Sequence, residues 1–123
     1  MRSLFLKPPD VLLRPMRLLL DESVPAKLRR HLPNHEVRTA VEMGWSGVKN
    51  GRLLALAGDS FDAFVTVDKN MPFQQNLAAL PIALVVLDSV SNELHALLPL
   101  LPLLEQALVS LEPKSYVLVC SVA

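Results

Sequence analysis

Apolar residues gather into five short runs separated by longer segments whose apolar positions recur every three or four residues. The runs Arg17 to Leu20, Val37 to Ala40, Ala63 to Val67, Ile82 to Leu87 and Tyr116 to Val122 lack strict alternation. Such runs suit strands buried on both faces, as in a parallel sheet. Between them, Pro25 to Leu32 opens with proline and stops before Pro33-Asn34, and Gly51 to Ala57 lies between Asn50 and Gly58. Pro72 to Leu80 again opens with proline, and all three segments read as helices. Leu94, Leu97, Leu101, Leu104, Leu108 and Leu111 alternate steps of three and four, predicting a last helical region with a continuous apolar stripe. Leu98, Leu100 and Leu103 widen that stripe, which leaves room for a homodimer contact through residues 94–111 beside its simpler role of covering the sheet.

Alternating strands and helices predict an α/β fold, a three-layer sandwich with a mainly parallel central sheet. Right-handed crossovers from a central first strand give the order 2-1-3-4, with the place of the last strand open. Ligands of such sheets bind beyond the carboxyl ends of the strands, where the order reverses. Here that point lies between strands one and three. Asp21-Glu22 follows strand one and Asp68 follows strand three.

Composition bounds this reading without changing it. The 123 residues, 51% hydrophobic and 20% charged, suit a single domain. Residues 1–15, split by Lys7-Pro8-Pro9-Asp10, read as an N-terminal extension, and Met16-Arg17 as the start of a domain over 16–123. Net charge is zero, but residues 1–52 hold ten Lys/Arg against five Asp/Glu and residues 53–123 two against seven. A single cysteine, Cys120, excludes an intramolecular disulfide and gives no sign of an oxidising compartment, so a cytoplasmic location is expected. Glu105, Pro99 and Pro102 interrupt the leucine-rich stretch, which argues against a membrane span.

The carboxylates carry the candidate chemistry. Mg²⁺ and Mn²⁺ take oxygen ligands and retain water, so Asp21 and Asp68 suffice as direct ligands when a substrate phosphate adds more. A cation held there lowers the pKa of a bound water and polarises a phosphoryl oxygen. Glu22 is a helper, since neighbouring strand residues face opposite ways. Against a site stands the use of Asp after a strand as a helix cap or turn former.

The residues Met16 to Pro25 (MRLLLDESVP), Leu28 to Leu32, His35-Glu36-Val37, Glu42 to Gly47 and Val65 to Asn70 resemble the small PIN-like family of bacterial proteins, over Met16 to about Leu87. The resemblance implies a PIN-type fold and a metal-dependent ribonuclease that cleaves RNA, of the kind found as the toxin of a toxin-antitoxin pair, with a small antitoxin protein as partner. It places the family's first aspartate at Asp21 and the aspartate of its Thr-x-Asp segment at Asp68. Many relatives carry an aspartate at the start of the helix after the glycine-containing loop, where this chain has Asn50. Lys69, Asn70, Gln74 and Gln75, just past Asp68, are candidates for substrate contact, as are Arg29 and Arg30 in the chain's basic cluster with Lys27, His31 and Arg38. Glu42 is a loop charge that could face the site, and Trp45 a base-stacking candidate or a cap on the core.

Asp68-Lys69-Asn70-Met71-Pro72 also resembles the Asp-x-x-Met-Pro segment of response-regulator receivers, which would make Asp68 a phosphoacceptor. Ser89 fits that pattern, but its lysine after the last strand is missing, Lys114 lying before it. A catalytically silent PIN-like binding or dimerisation domain is the third reading.

Overall fold

The computed structural model describes residues 14–121. Residues 1–13 of the extension expected over 1–15, and the strand end expected at Val122, lie outside the described residues. Arg14, expected in the extension, donates from its guanidinium to the carbonyls of Leu108, Val109 and Leu111 at 3.0–3.4 Å.

Five parallel strands form one sheet: β1 (Arg17–Leu20), β2 (Glu36–Thr39), β3 (Ala63–Thr66), β4 (Ala83–Asp88) and β5 (Tyr116–Cys120). Their order is β2-β1-β3-β4-β5, so the last strand is an edge strand beside β4. Strand residues alternate between two cores. Leu18, Leu20, Val65, Val85 and Leu87 face one, and Leu19, Phe64, Leu84 and Val86 face the other. A sheet buried on both sides explains why the sequence shows runs rather than alternation.

The helical segments are shorter than expected, for identifiable reasons. Pro25 to Leu32 forms a 3₁₀ turn over Ala26–His31, with Leu28 N–H bonded to Pro25 O and Leu32 N–H to Arg29 O, both at 3.0 Å. Pro33 disfavours the helical conformation of Leu32, which ends the turn there. Helix α1 (Asn50–Gly58) matches expectation; at its end a Cβ on Gly58 would lie 2.6 Å from Pro81 O, so only glycine fits. Pro72 to Leu80 splits into α2 (Met71–Gln74) and a 3₁₀ turn (Leu77–Ala79), because the Asn76 side chain accepts from Ala78 N–H and starts a new turn.

The last region divides into α3 (Leu94–Leu97), a 3₁₀ turn (Leu98–Leu100) and α4 (Leu101–Val109). Pro99 and Pro102 cannot donate to the preceding turn, so the ladder tightens between them. The tightening shifts the stripe: Leu97, Leu100, Leu104, Leu108 and Leu111 are buried, while Leu101 is only partly so. Leu98 and Leu103, which widened the stripe, are half-buried. No helix among the described residues is long and apolar enough to cross a membrane.

The 3₁₀ turn after β1 and the α3–α4 region cover one face; α1 and α2 cover the other. The first three crossovers therefore share one hand, and the β4–β5 connection has the opposite one, against the usual right-handed rule. The six-residue 3₁₀ turn leaves much of its face bare. Leucines of α3 and α4 fill it. To get there the chain passes over the carboxyl edge, where Asn92 Nδ2 donates to Ser23 O at 3.2 Å.

Candidate functional site

Parallel strands end on one side, so the residues after β1, β3 and β4 gather at a single edge. Asp21 extends the β1 ladder, its N–H donating to Val65 O at 2.9 Å. Alternation puts Asp21 on the face of Leu19 and Thr66 on that of Phe64, the side covered by α1 and α2. There the side chains meet. Thr66 Oγ1 donates to Asp21 Oδ2 at 2.8 Å, and Ser23 Oγ donates to the same oxygen at 2.7 Å. Thr66 Oγ1 also accepts from Asp68 N–H at 3.0 Å. One fully buried hydroxyl thus bridges the two aspartates.

Asp68 Oδ1 accepts from Asn70 N–H at 2.9 Å, closing an Asx-type turn. Among the described residues, no hydrogen bond reaches Asp21 Oδ1 or Asp68 Oδ2, and both residues are partly open to solvent. Each aspartate therefore has one oxygen held by the protein and one left for a ligand.

The remaining sequence candidates are placed differently. Glu22 is exposed, and its carboxylate accepts from Gly47 N–H at 3.0 Å and Ser46 Oγ at 2.9 Å. Those two bonds, the backbone one first, hold its pKa below the usual carboxylate value and tie down the β2–α1 loop. Gly47 meets Glu22 from a left-handed conformation, φ +80°, that suits glycine. Lys69 Nζ pairs with Asp88 Oδ1 at 3.0 Å and reaches Ser89 O at 3.4 Å. Arg29 bridges Val37 O and Glu42, and Glu42 in turn accepts from Thr39 N–H, so both brace the end of β2. Arg30 is exposed on the 3₁₀ turn, and no contact among the described residues joins Arg29 or Arg30 to either aspartate. Asn50 is the first residue of α1. Asn70 and Gln74 are exposed and Gln75 is half-buried. Trp45 packs edge-on against Phe61, centroids 6.3 Å apart, and caps the core.

Four residues escaped the sequence reading. Ser23 and Thr66 looked like ordinary turn and strand residues, and Asp88 lay one position past the expected end of strand four. Phe73 carried no role in the sequence, yet it is 88% exposed. Only the spacing Asp-x-Ser and Thr-x-Asp at the two strand ends hinted at the hydroxyls.

Among the described residues, no group of three or more His, Cys, Asp or Glu is placed to hold a metal ion. The chain offers instead two carboxylates, that of Asp21 oriented by the hydroxyls of Ser23 and Thr66 and that of Asp68 by the N–H of Asn70. That donor set fits a hard cation that keeps most of its water. No family model matches the chain, and no curated protein or solved structure matches it either.

Proposed function

We propose that this is a PIN-like ribonuclease dependent on a divalent cation, with Asp21 and Asp68 at its centre. The observation that carries the reading is the Thr66 bridge, which joins the Asp21 carboxylate to the Asp68 backbone at the switch point of the sheet, where one oxygen of each aspartate has no donor among the described residues. These two residues would hold Mg²⁺ or Mn²⁺, which would supply a water of lowered pKa and polarise a phosphodiester. Ser23 and Thr66 keep the Asp21 carboxylate in one orientation. Lys69 offsets the charge of Asp88, so that the edge repels a phosphate less. Asn50 offers only a neutral amide oxygen and holds a cation more weakly than the carboxylate of many PIN-like relatives. The RNA substrate and a small antitoxin partner follow from the PIN resemblance.

A receiver-like phosphoacceptor is less well supported. The opposite-handed β4–β5 connection departs from doubly wound topology, and Asp88 already engages Lys69. Calorimetric titration with Mn²⁺ tests the proposal: binding is expected in the wild type and lost in Asp21→Asn and Asp68→Asn. Absence of RNA cleavage under any divalent cation, together with modification of Asp68 by acetyl phosphate, would favour the receiver. Mn²⁺ binding without RNA turnover would favour a silent PIN-like domain.

A further inference from the structure

Among the described residues, the ring of Phe73 is left exposed on the short helix that follows Asp68. Of the other described aromatics, Phe61 and Phe64 are buried and Trp45 and Tyr116 half-buried, so Phe73 at 88% exposure is the exception. Its N–H donates to Asn70 O at 3.0 Å, which hangs the ring directly from the turn that Asp68 closes. The segment that follows carries the amides Gln74, Gln75 and Asn76, with Leu77 42% exposed beyond them. Asn70 and Gln74 are exposed, and a Cβ on Gly51 would touch Gln75 Oε1 at 3.9 Å, so the start of α1 adjoins the segment. That start carries exposed Lys49 and Arg52, with no acidic residue in its first turn and no ion pair to either among the described residues.

We propose that Phe73, Asn70, Gln74 and Gln75, with Lys49 and Arg52, form a shelf that binds single-stranded RNA, one unpaired base stacking on the Phe73 ring. A planar apolar face, amides for base edges and uncancelled positive charge are the three things a single strand needs. A duplex keeps its bases stacked on each other and cannot use the ring. The shelf rests on the nuclease reading for its place beside Asp68 and for its substrate class, but it is tested without turnover.

The experiment is fluorescence anisotropy with a short labelled single-stranded RNA in EDTA, so that binding is read and cleavage is not. Phe73→Ala is expected to weaken binding roughly tenfold, the scale of one lost base stack. Phe73→Trp is expected to keep the affinity and to show emission quenched by RNA. Lys49→Ala and Arg52→Ala should each lower the slope of log K against log salt by about one, and Phe73→Ala should leave it alone. Failure of the wild type to bind RNA would overturn the proposal, as would unchanged affinity in Phe73→Ala, the result expected if the ring is a protein contact. Emission of Phe73→Trp unmoved by bound RNA would do the same. RNA binding in EDTA with no cleavage in Mn²⁺ would sink the nuclease reading and leave the shelf standing.

Discussion

Replacing Thr66 by valine removes one oxygen and almost nothing else. The two side chains have nearly the same shape, so a fully buried position gains no large cavity. Asp21 Oδ2 loses its 2.8 Å donor, and Asp68 N–H loses its 3.0 Å acceptor. A hydrogen bond to a charged group is worth about 1.5–3 kcal/mol and a neutral one about 1 kcal/mol. Ser23 still donates to the same Asp21 oxygen, and water reaches both half-exposed aspartates, so the low end applies. The expected loss is about 2 kcal/mol, or roughly 8 °C in Tm for a chain of this length. Urea denaturation with unchanged m-value measures it. Thr66→Ser, which keeps the hydroxyl and drops a methyl, should lose only about 1 kcal/mol. If the site binds Mn²⁺, Thr66→Val should also weaken it about 10- to 100-fold, as removal of a residue orienting a ligand does. A Thr66→Val protein within about 0.5 kcal/mol of wild type, on the scale of surface changes, would show that the bridge does not hold the aspartates.

Asn50→Asp, which puts a carboxylate at the start of α1, should tighten Mn²⁺ binding in a calorimetric titration; greater stability with unaltered affinity would show a helix-terminus effect alone. His35 Nδ1 accepts from Met16 N–H at 3.1 Å, so Nε2 carries the proton given to Glu105 at 2.7 Å, and the side chain is only 2% exposed. His35→Phe leaves that buried N–H unpaired and should cost about 2 kcal/mol in urea denaturation. Glu22 and Glu42 titrate below the ordinary 4.5, held by the N–H of Gly47 and then Ser46, and by the N–H of Thr39 and then Arg29. Burial raises the Asp62 pKa, but hydrogen bonds from Arg17 outweigh it and bring it below 3.8. With folded values depressed, the stability these groups contribute is complete above the ordinary values and lost as pH falls through the lowered ones. Urea midpoints should therefore drop on acidification below about 4.5, and less steeply in Glu42→Gln.

The parallel sheet was legible because its strands are buried on both faces, and the two aspartates because each stands just beyond an apolar run. Strand order followed from crossover handedness as far as β4. The β4–β5 connection broke that rule because the bare face beside a six-residue 3₁₀ turn had to be covered, a tertiary demand no local pattern announces. Continuous helices are expected over Pro72 to Leu80 and Leu94 to Leu111, but the Asn76 side chain and Pro99 divide them. By position Glu22 reads as a catalytic helper and Lys69 as a substrate contact; their partners Gly47 and Asp88, distant in sequence, are not legible there. Phe73 shows the limit most plainly: nothing in the local pattern says whether it is buried, and only the packing of the described residues leaves it exposed.

The central claim is that Asp21 and Asp68 hold a cation for phosphodiester hydrolysis. Its most direct test is cleavage of single-stranded RNA by the purified protein in Mn²⁺ or Mg²⁺, with Asp68→Asn as the control. The account predicts metal-dependent cleavage that EDTA and Asp68→Asn both abolish. Cleavage that survives in Asp68→Asn, or none under any divalent cation, would contradict it.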